Sequence, residues 1–556
     1  MSRLVKKSPS VCTDLPLDNA DICNKLRLMR ELLGSCYGPT GRLKQIHNNI
    51  GGRVVTTSSS SVLLPAIASS EPFVNLIRTS ILHHVRRFGD CGLFAAIFCL
   101  SLVEQAKQSG LRAKAVIRSN EHLASLCTDY LKQGGCGCKV KLDLCSGRDL
   151  VALARSVVSS KPACVLTEPE CVHISRLAVR AFLLTVPCDT PGSVSLGQTV
   201  RVSVEGLPVT HSAVVPGLLV DTAEDVYLSQ PCSLPHPLVL FSASLAGDLS
   251  ELGDGLIEVH PRVDSDSQVL SQLLELGNQV VRDGVKVFVC QKVIHPVLQL
   301  YLTSHGVTVV ERLGVTLMEP LIQLTGAQPV ATLHSAVQPT AYGQVGGLSV
   351  RRFGSKTMLH LQACGESAIC TIILCHRNET MLNELKVTCQ KAEHVLRLAL
   401  REPSALRGGG CTETHLAAYV RRQSKSEVPA LGRGCSQTEY LRAAEAFCRS
   451  LESVARSLEH DGGTSTIDPT HAHRWTRPSD VATERRGVGA GCCGCGSLDG
   501  RETWTSAEFP PADLLRDASV QPGVLDSFTA KLNALQVAVE TANLALDVRY
   551  VIRDVN

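Results

Sequence analysis

Three glycine-containing turns are the parts of this sequence best suited to bind a phosphate group. Glycine lets the backbone approach a ligand more closely than any side chain permits, and a helix beginning behind such a turn offers unpaired amide hydrogens to an anion. The candidate residues for a nucleotide site are Gly38, Pro39, Gly41, Gly89, Asp90, Gly408, Gly409 and Gly410. Each turn alone is a weak signal, so the three have to be weighed together.

Asp90 lies in the second turn, FGDCG, and has two alternative roles. Its carboxylate would cap the helix that follows by accepting amide hydrogens of the first turn, which is the commoner use of aspartate in such a place. The same position suits a ligand of a magnesium–phosphate pair. The turn alone favours the cap, and both roles remain open.

The composition bounds the class of protein. A chain of 556 residues is expected to form two to four domains. The net charge is only +3 and the basic residues are spread out, so the sequence predicts binding neither to nucleic acid nor to an anionic membrane. The N-terminus lacks the apolar core of a secretion signal, and the longest apolar run, 91–103, is shorter than the roughly 20 residues that cross a bilayer. We expect a cytoplasmic protein without a transmembrane segment, whose 24 cysteines are reduced.

The hydrophobic pattern predicts helices on both sides of an α/β region. Residues 20–145 are mostly helical, and the amphipathic stretches 151–163 and 175–186 continue this pattern. Short β-rich runs then alternate with helical stretches at 202–209, 236–243, 285–291 and 307–313. This alternation predicts an α/β domain inserted between helical parts.

The last third of the chain predicts two helices, an insertion and a strand. Residues 441–458 place their apolar side chains on one helical face. Apolar residues three or four positions apart indicate a second helix, and these are Val524, Phe528, Leu532, Leu535, Val539 and Ala542. Residues 462–520 are rich in glycine and charge without periodicity, which predicts a mobile insertion. Residues 548–552 alternate as a strand does, and such a strand needs a partner edge within the chain or on a neighbour.

The remaining cysteines and histidines favour packing over chemistry. Two C-x-C groups, in 136–138 and 492–495, lack a second pair of ligands at ordinary zinc spacing. His471 and His473 are expected to be solvated or packed rather than to bind a metal. Cys411, directly after the glycine triplet, is expected to pack and not to act as a nucleophile.

The three turns, in this order and at these separations, resemble the turns that surround the nucleotide in the group II chaperonins, the TCP-1 and thermosome family. Gly38, Pro39, Gly41 and Lys44 match the first family turn, and the stretch from Gly408 to Glu413 matches the third. The resemblance extends over nearly the whole chain. It includes SSKPA at 159–163, VVPGLLVD at 214–221 and the long stretch 283–314.

The resemblance implies an α+β multidomain, group II chaperonin-like fold. A helical equatorial domain would comprise 1–145 and 406–556, and a small intermediate domain would comprise 146–205 and 363–405. The inserted α/β apical domain, which would bind clients, would comprise 206–362. Its helical protrusion would be shorter than that of the family by roughly two helical turns.

The site departs from the family at residues that perform hydrolysis. Ser58 stands at a family carboxylate position, and Cys-Gly-Leu at 91–93 replaces the Gly-Thr-Thr whose hydroxyls donate to phosphate. Lys391, seventeen positions before Gly408, stands where the family has the aspartate that orients the attacking water. A lysine cannot accept a proton as a carboxylate does, and its fixed charge would compete with magnesium. Because a general base contributes roughly 10²- to 10⁴-fold in rate, we predict no significant ATP turnover, with Asp90 left as the inherited metal ligand.

Within the family, the motifs resemble most closely a divergent vertebrate branch linked to Bardet–Biedl syndrome. This implies a non-enzymatic assembly factor of the cytoplasm, centrosome and basal body that helps to assemble the BBSome, a ciliary trafficking coat. The implied partners are other chaperonin-like proteins, cytosolic TCP-1 chaperonin subunits and, as clients, BBSome subunits. ATP with magnesium would bind, if at all, without hydrolysis. Two alternatives stay open: an ATP-driven, ring-forming folding chaperonin, and a centrosomal scaffold that uses the fold as a platform.

Overall fold

The computed structural model describes residues 11–47, 54–67, 69–187, 196–222, 235–247, 265–332, 336–426, 435–460, 464–469, 472–477, 493–496 and 523–553. The chain forms two compact units. The first unit comprises Met1–Val179 and Asn383–Asn556, and the second comprises Arg180–Leu382. The first unit is therefore discontinuous in sequence, and the second is inserted between its two parts.

Helices make up most of the first unit. Its α-helices are Ala20–Gly34, Ser60–Ala66, Pro72–Phe88, Gly92–Ser109, Ala113–Lys132, Gly147–Ser159, Cys411–Ser426, Gln437–Arg456 and Phe528–Asp547. Two further helices cross its boundaries: Glu168–Leu184 begins in it and Glu379–Arg401 ends in it. The helices predicted over 151–163, 175–186 and 441–458 are thereby confirmed in existence, with somewhat different ends.

The helix Gly92–Ser109 is central in the first unit. Its residues 93–103 are all buried, because this stretch is apolar on every side. The helix packs against Gln437–Arg456 and Phe528–Asp547. Phe98 of this helix and Phe447 of Gln437–Arg456 contact each other edge to face, with their ring centroids 5.4 Å apart. The apolar run at 91–103 is thus a buried helix, as predicted.

Short antiparallel strands complete the first unit. Lys44–His47 pairs with Val54–Thr57, Thr464–Asp468 pairs with His473–Arg477, and Ser404–Arg407 lies between Lys139–Lys141 and Leu525–Ser527. The predicted last strand is Tyr550–Arg553, and it pairs with Val11–Asp14 within the same chain. The helix predicted from Val524 onward begins at Phe528 instead, because a strand precedes it and Ser527 caps it by accepting a hydrogen bond from the Ala530 amide.

A four-stranded sheet forms the centre of the second unit. In order across the sheet, its strands are Thr308–Val310, Val287–Cys290, His236–Phe241 and Gly343–Val345. The first three strands are parallel and the fourth is antiparallel. The remaining strands form two three-stranded sheets, Gln198–Glu205, Ile369–His376 and Ala213–Pro216 in one, and Gly347–Phe353, Lys356–Gln362 and Leu218–Asp221 in the other.

Helices cover both faces of the four-stranded sheet. Val287 and Val289 point into a core that includes the helix Val315–Thr325, whereas Phe288 and Cys290 point into the opposite core. That second core includes the helices Ser265–Arg282 and Pro296–Ser304. Because alternate residues of one strand are buried on opposite faces, the strand is apolar throughout, as in an α/β layer. The predicted inserted α/β region is therefore present.

Two predictions need correction or restriction. The predicted mobile insertion at 462–520 contains regular structure in its described part, because Thr464–Asp468 and His473–Arg477 form a hairpin and residues 493–496 pack beside it. Periodicity misses this hairpin because its core is built from cysteine and histidine. The predicted protrusion falls partly on residues 248–264, which lie outside the described residues. The division into three domains stays a prediction beside the two units seen here.

The described cysteines are free thiols. In the part of the chain that the structure describes, the helices are too short or too polar to cross a lipid bilayer.

Candidate functional site

The three glycine turns meet at one cavity in the first unit. Gly38, Pro39, Asp90 and Gly409 line it. Ser160 and Lys161, which follow the helix Gly147–Ser159, contribute to its wall. Asp526 from the strand Leu525–Ser527 and Lys531 from the last helix also line it. Residues of all three predicted turns, although distant in the chain, are therefore adjacent in the structure.

The other predicted glycines belong to these turns but do not line the cavity. A Cβ atom on Gly41 would lie 2.6 Å from the Cys36 carbonyl oxygen, and one on Gly408 would lie 2.8 Å from the Val524 side chain. Gly89 and Gly410 have φ angles of 71° and 83°, a region that favours glycine. These four glycines therefore shape the turns through their backbone angles and through close contacts within the chain.

Asp90 is not the helix cap that its position predicts. The residue before the helix Gly92–Ser109 is Cys91, which has a φ of 59°, and no side chain there caps the helix. His84 holds the turn instead, because its Nε2 lies 3.0 Å from the Asp90 carbonyl oxygen. No ion pair involves Asp90 among the described residues, so its carboxylate remains available at the cavity wall.

Lys391 lies on the helix Glu379–Arg401, and only 5% of it is exposed. Burial and, to a smaller extent, the charge of Lys161 lower the pKa of Lys391 to about 7, although Asp90 and Glu384 act in the opposite direction. The positive charge expected at this position is therefore not fixed, because burial favours the neutral amine. Neither form supplies the carboxylate that positions a water molecule for hydrolysis.

Ser58 is fully buried, and its hydroxyl has no hydrogen-bond partner among the described residues. Its neighbour Thr57 donates a hydrogen bond to Oε2 of Glu384 at 2.7 Å, while no described residue bonds to Oε1 of that buried carboxylate. Glu384 and Lys391 are seven positions apart, so they share one face of their helix. Sequence reasoning missed Glu384 because a carboxylate on an amphipathic helix usually faces solvent.

A buried lysine on the last helix binds two carboxylates beside the cavity. Lys531 Nζ donates to Glu413 Oε1 at 2.5 Å and to Asp526 Oδ2 at 2.7 Å. Burial alone lowers the pKa of Lys531, but these carboxylates raise it well above its ordinary value, so the amine stays charged. The signal in the sequence was a lysine between Phe528 and Leu535, on the apolar face of the predicted helix.

The cavity has a volume of about 110 Å³. Pockets for small molecules usually measure about 300 to 1,000 Å³. The enclosed space between the three turns is therefore suited to water, a metal ion or one phosphate group. Leu93 and Phe94 also line it, and they offer no hydroxyl to phosphate oxygens.

A second cluster lies behind the glycine triplet, where the sequence predicted only packing. Cys411, His473, Cys493 and Cys495 bring their ligand atoms within 4.8 Å of one another, and all four are buried. The prediction that the C-x-C group in 492–495 lacks matching ligands is wrong. Its partners come from two other segments of the chain, which sequence spacing alone cannot show.

Residues 29–556 match the TCP-1/cpn60 chaperonin family. The chain belongs to this family and has its α+β multidomain fold, as the glycine turns predicted. It is 44% identical over its full length to the molecular chaperone MKKS of Homo sapiens and, equally, to that of Mus musculus, covering 100% of each. A thermosome subunit of Methanocaldococcus jannaschii is 23% identical over 80% of this chain and 79% of its own length.

Proposed function

We propose that this protein is a chaperonin-like assembly factor without significant ATP turnover. The observation that carries the proposal is Lys391, a buried amine beside Asp90 at the place where active family members have a carboxylate. A water molecule beside Lys391 has no carboxylate base at that position to orient it. The chaperonin fold remains, and with it the surfaces for binding other proteins.

Two further features support the absence of turnover. Lys531 already binds Glu413 and Asp526, so these carboxylates are not free to hold magnesium. Cys91, Gly92 and Leu93 also line the cavity, and none of them has a hydroxyl group to donate to a phosphate. Asp90 is the remaining carboxylate on this wall that is not bound to a lysine, so weak binding of magnesium with ATP or ADP is compatible with the site.

The clients and partners that we propose follow from the resemblance of the motifs and from relatives that are described as molecular chaperones. We propose that the protein acts with other chaperonin-like proteins and with cytosolic TCP-1 chaperonin subunits. Its clients would be BBSome subunits, and it would act in the cytoplasm, at the centrosome and at the basal body.

Phosphate release from the purified full-length chain tests the absence of turnover. We expect no release above the background for the wild type, for Asp90→Ala or for the exposed control Asp21→Ala. Turnover equal to that of a thermosome, lost in Asp90→Ala and kept in Asp21→Ala, would overturn the proposal. That result would establish the ATP-driven chaperonin instead.

Calorimetric titration with magnesium and ATP separates binding from hydrolysis. Binding that weakens in Asp90→Ala but not in Asp21→Ala would assign a nucleotide-sensing role to the inherited site. Size analysis of native complexes tests the assembly role. We expect a complex that contains other chaperonin subunits, and a pool bound only to centrosomal proteins would show a scaffold instead.

A further inference from the structure

Four side chains with metal-binding atoms converge behind the glycine triplet from three separate segments. Cys411 begins the helix Cys411–Ser426, His473 begins the strand His473–Arg477, and Cys493 and Cys495 belong to the turn 493–496. At most 6% of any of them is exposed. A buried group of three thiols and one imidazole needs an explanation, since the function proposed above makes no use of it.

The distances in this cluster fit tetrahedral coordination. The Sγ atoms of Cys493 and Cys495 are 3.4 Å apart, and Sγ of Cys495 is 3.7 Å from Nδ1 of His473. Zinc bonds of about 2.3 Å to sulfur and 2.0–2.1 Å to nitrogen place tetrahedral ligands about 3.8 Å apart for two sulfurs and about 3.6 Å apart for sulfur and nitrogen. The sulfur–sulfur distance is far longer than the roughly 2.05 Å of a disulfide bond.

We infer that Cys411, His473, Cys493 and Cys495 bind one zinc ion as a structural Cys₃His site. Soft thiolates with one imidazole in a tetrahedral arrangement favour zinc over magnesium or calcium, which take oxygen ligands. Four protein ligands leave no open position for a substrate, and burial excludes solvent, so the ion would stabilise the fold and not catalyse a reaction.

The backbone around the cluster is already fixed in the geometry that such a site needs. The Gly494 amide donates to the Arg474 carbonyl at 2.7 Å, and the Gly496 amide donates to the Cys493 carbonyl at 2.8 Å. Trp475 forms a β-bridge with Cys493 and packs against the three thiols. The turn therefore presents both of its cysteines to the hairpin without further rearrangement.

The zinc site would also hold one wall of the cavity. A Cβ atom on Gly409 would lie only 2.0 Å from the carbonyl oxygen of Gly494, so the turn 493–496 lies directly against the glycine triplet. The Val524 amide donates to the Cys495 carbonyl at 3.0 Å, and Val524 lines the cavity. The ion would thus tie the hairpin and the turn to residues that surround the inherited phosphate site.

The chain contains a matched control for this cluster. Cys136 and Cys138 form another C-x-C group, and both are buried with their Sγ atoms 3.3 Å apart. Among the described residues, however, no third and fourth ligand joins them in a metal-binding group. Cys138→Ser therefore removes an equally buried thiol from the same kind of sequence and keeps all four proposed ligands.

Metal analysis of the full-length chain tests the inference. After purification with zinc and dialysis against a weak chelator, we expect one zinc ion per chain in the wild type and in Cys138→Ser. Cys495→Ser and His473→Ala should lose most of it. Zinc kept in full by both site variants, or a folded wild type that holds none after exposure to zinc, would overturn the inference. An intact mass two hydrogens lighter, with Cys493 joined to Cys495, would overturn it in favour of a disulfide.

Cobalt exchange keeps the test decisive if the site variants fail to fold. In the wild type, we expect Co²⁺ to give thiolate charge-transfer bands and the strong visible bands of a tetrahedral ion, and zinc to displace it. A strong chelator should lower the melting temperature of the wild type, because binding to the folded state stabilises it. An octahedral cobalt spectrum, or a melting temperature unchanged by the chelator, would refute the site.

Discussion

Replacing Lys391 by methionine should stabilise the protein, and more so as the pH falls to 7. Only 5% of Lys391 is exposed, and burial lowers its pKa from 10.5 to about 7. The unfolded chain holds the proton more tightly than the folded chain does, so a protonated amine at this position favours unfolding. Methionine has a similar length and no charge, and it adapts to irregular surroundings.

The sign and the size of the effect of Lys391 on the free energy of unfolding follow from proton linkage. Between pH 7 and pH 10.5 the unfolded chain binds more protons than the folded one, so the contribution of Lys391 to stability improves as the pH rises through this window. The penalty is complete below the folded pKa. At about 1.4 kcal/mol for each pH unit, it amounts to about 5 kcal/mol there and decreases by about 2 kcal/mol between pH 7 and pH 8.5.

Urea denaturation of the wild type, Lys391→Met and Lys386→Met at pH 6, 7 and 8.5 checks this prediction. Lys386 is exposed on the same helix, so its replacement controls for the loss of one positive charge. We expect the advantage of Lys391→Met over the wild type to shrink by about 2 kcal/mol from pH 7 to pH 8.5. A Lys391→Met protein less stable than the wild type at every pH would refute the reasoning, because it would mean that the cation stabilises the fold.

Three further substitutions test other contacts. Lys531→Met leaves Glu413 buried without a cation, so the unfolding free energy in urea should fall by about 3–5 kcal/mol. Gly409→Ala should lower the melting temperature at a cost of about 1–3 kcal/mol, because its φ is 65° and the new methyl group would overlap the Gly494 carbonyl. Ser436→Ala removes a capping box and should cost about 1 kcal/mol by thermal denaturation.

The first two of these substitutions have counterparts elsewhere in the chain. Lys107→Met breaks an exposed ion pair with Asp18 and should cost less than about 1 kcal/mol. Gly134→Ala meets nothing within 4 Å and should leave the melting temperature unchanged. If Lys531→Met proved no more costly than Lys107→Met, or Gly409→Ala no more costly than Gly134→Ala, the contacts described here would not control stability.

The glycine turns were predictable because their chemistry is local. A positive φ or a close backbone approach requires glycine, so the need is visible in the residue type itself. The buried helix at 91–103 was predictable for a similar reason, since a stretch that is apolar on all sides can only be buried. The predicted cap role of Asp90 is wrong because the residue before the helix is Cys91, with a φ of 59°, so Asp90 lies one position too early to be the cap.

The long-range pairs were not predictable from spacing. Lys531 and Glu413 are 118 positions apart on two different helices, and only the tertiary fold brings them together. The same holds for Cys411 and the turn 493–496, which no periodic pattern connects. A lysine on an apolar helix face and a C-x-C group in a polar segment each indicate that a partner residue exists. The sequence does not show which residue that partner is.

Because the first unit is formed from two separate parts of the chain, some of its contacting helices are synthesised long before others. The helix Gly92–Ser109 is buried against the helices Gln437–Arg456 and Phe528–Asp547, and the ribosome makes both of these only after the whole second unit. At roughly 5–20 residues per second, the central helix waits about 20–80 s for the last of its partners. During that time its apolar surface is exposed on the nascent chain, while Arg180–Leu382 can already fold. The central helix therefore lacks these two partners until both have been synthesised.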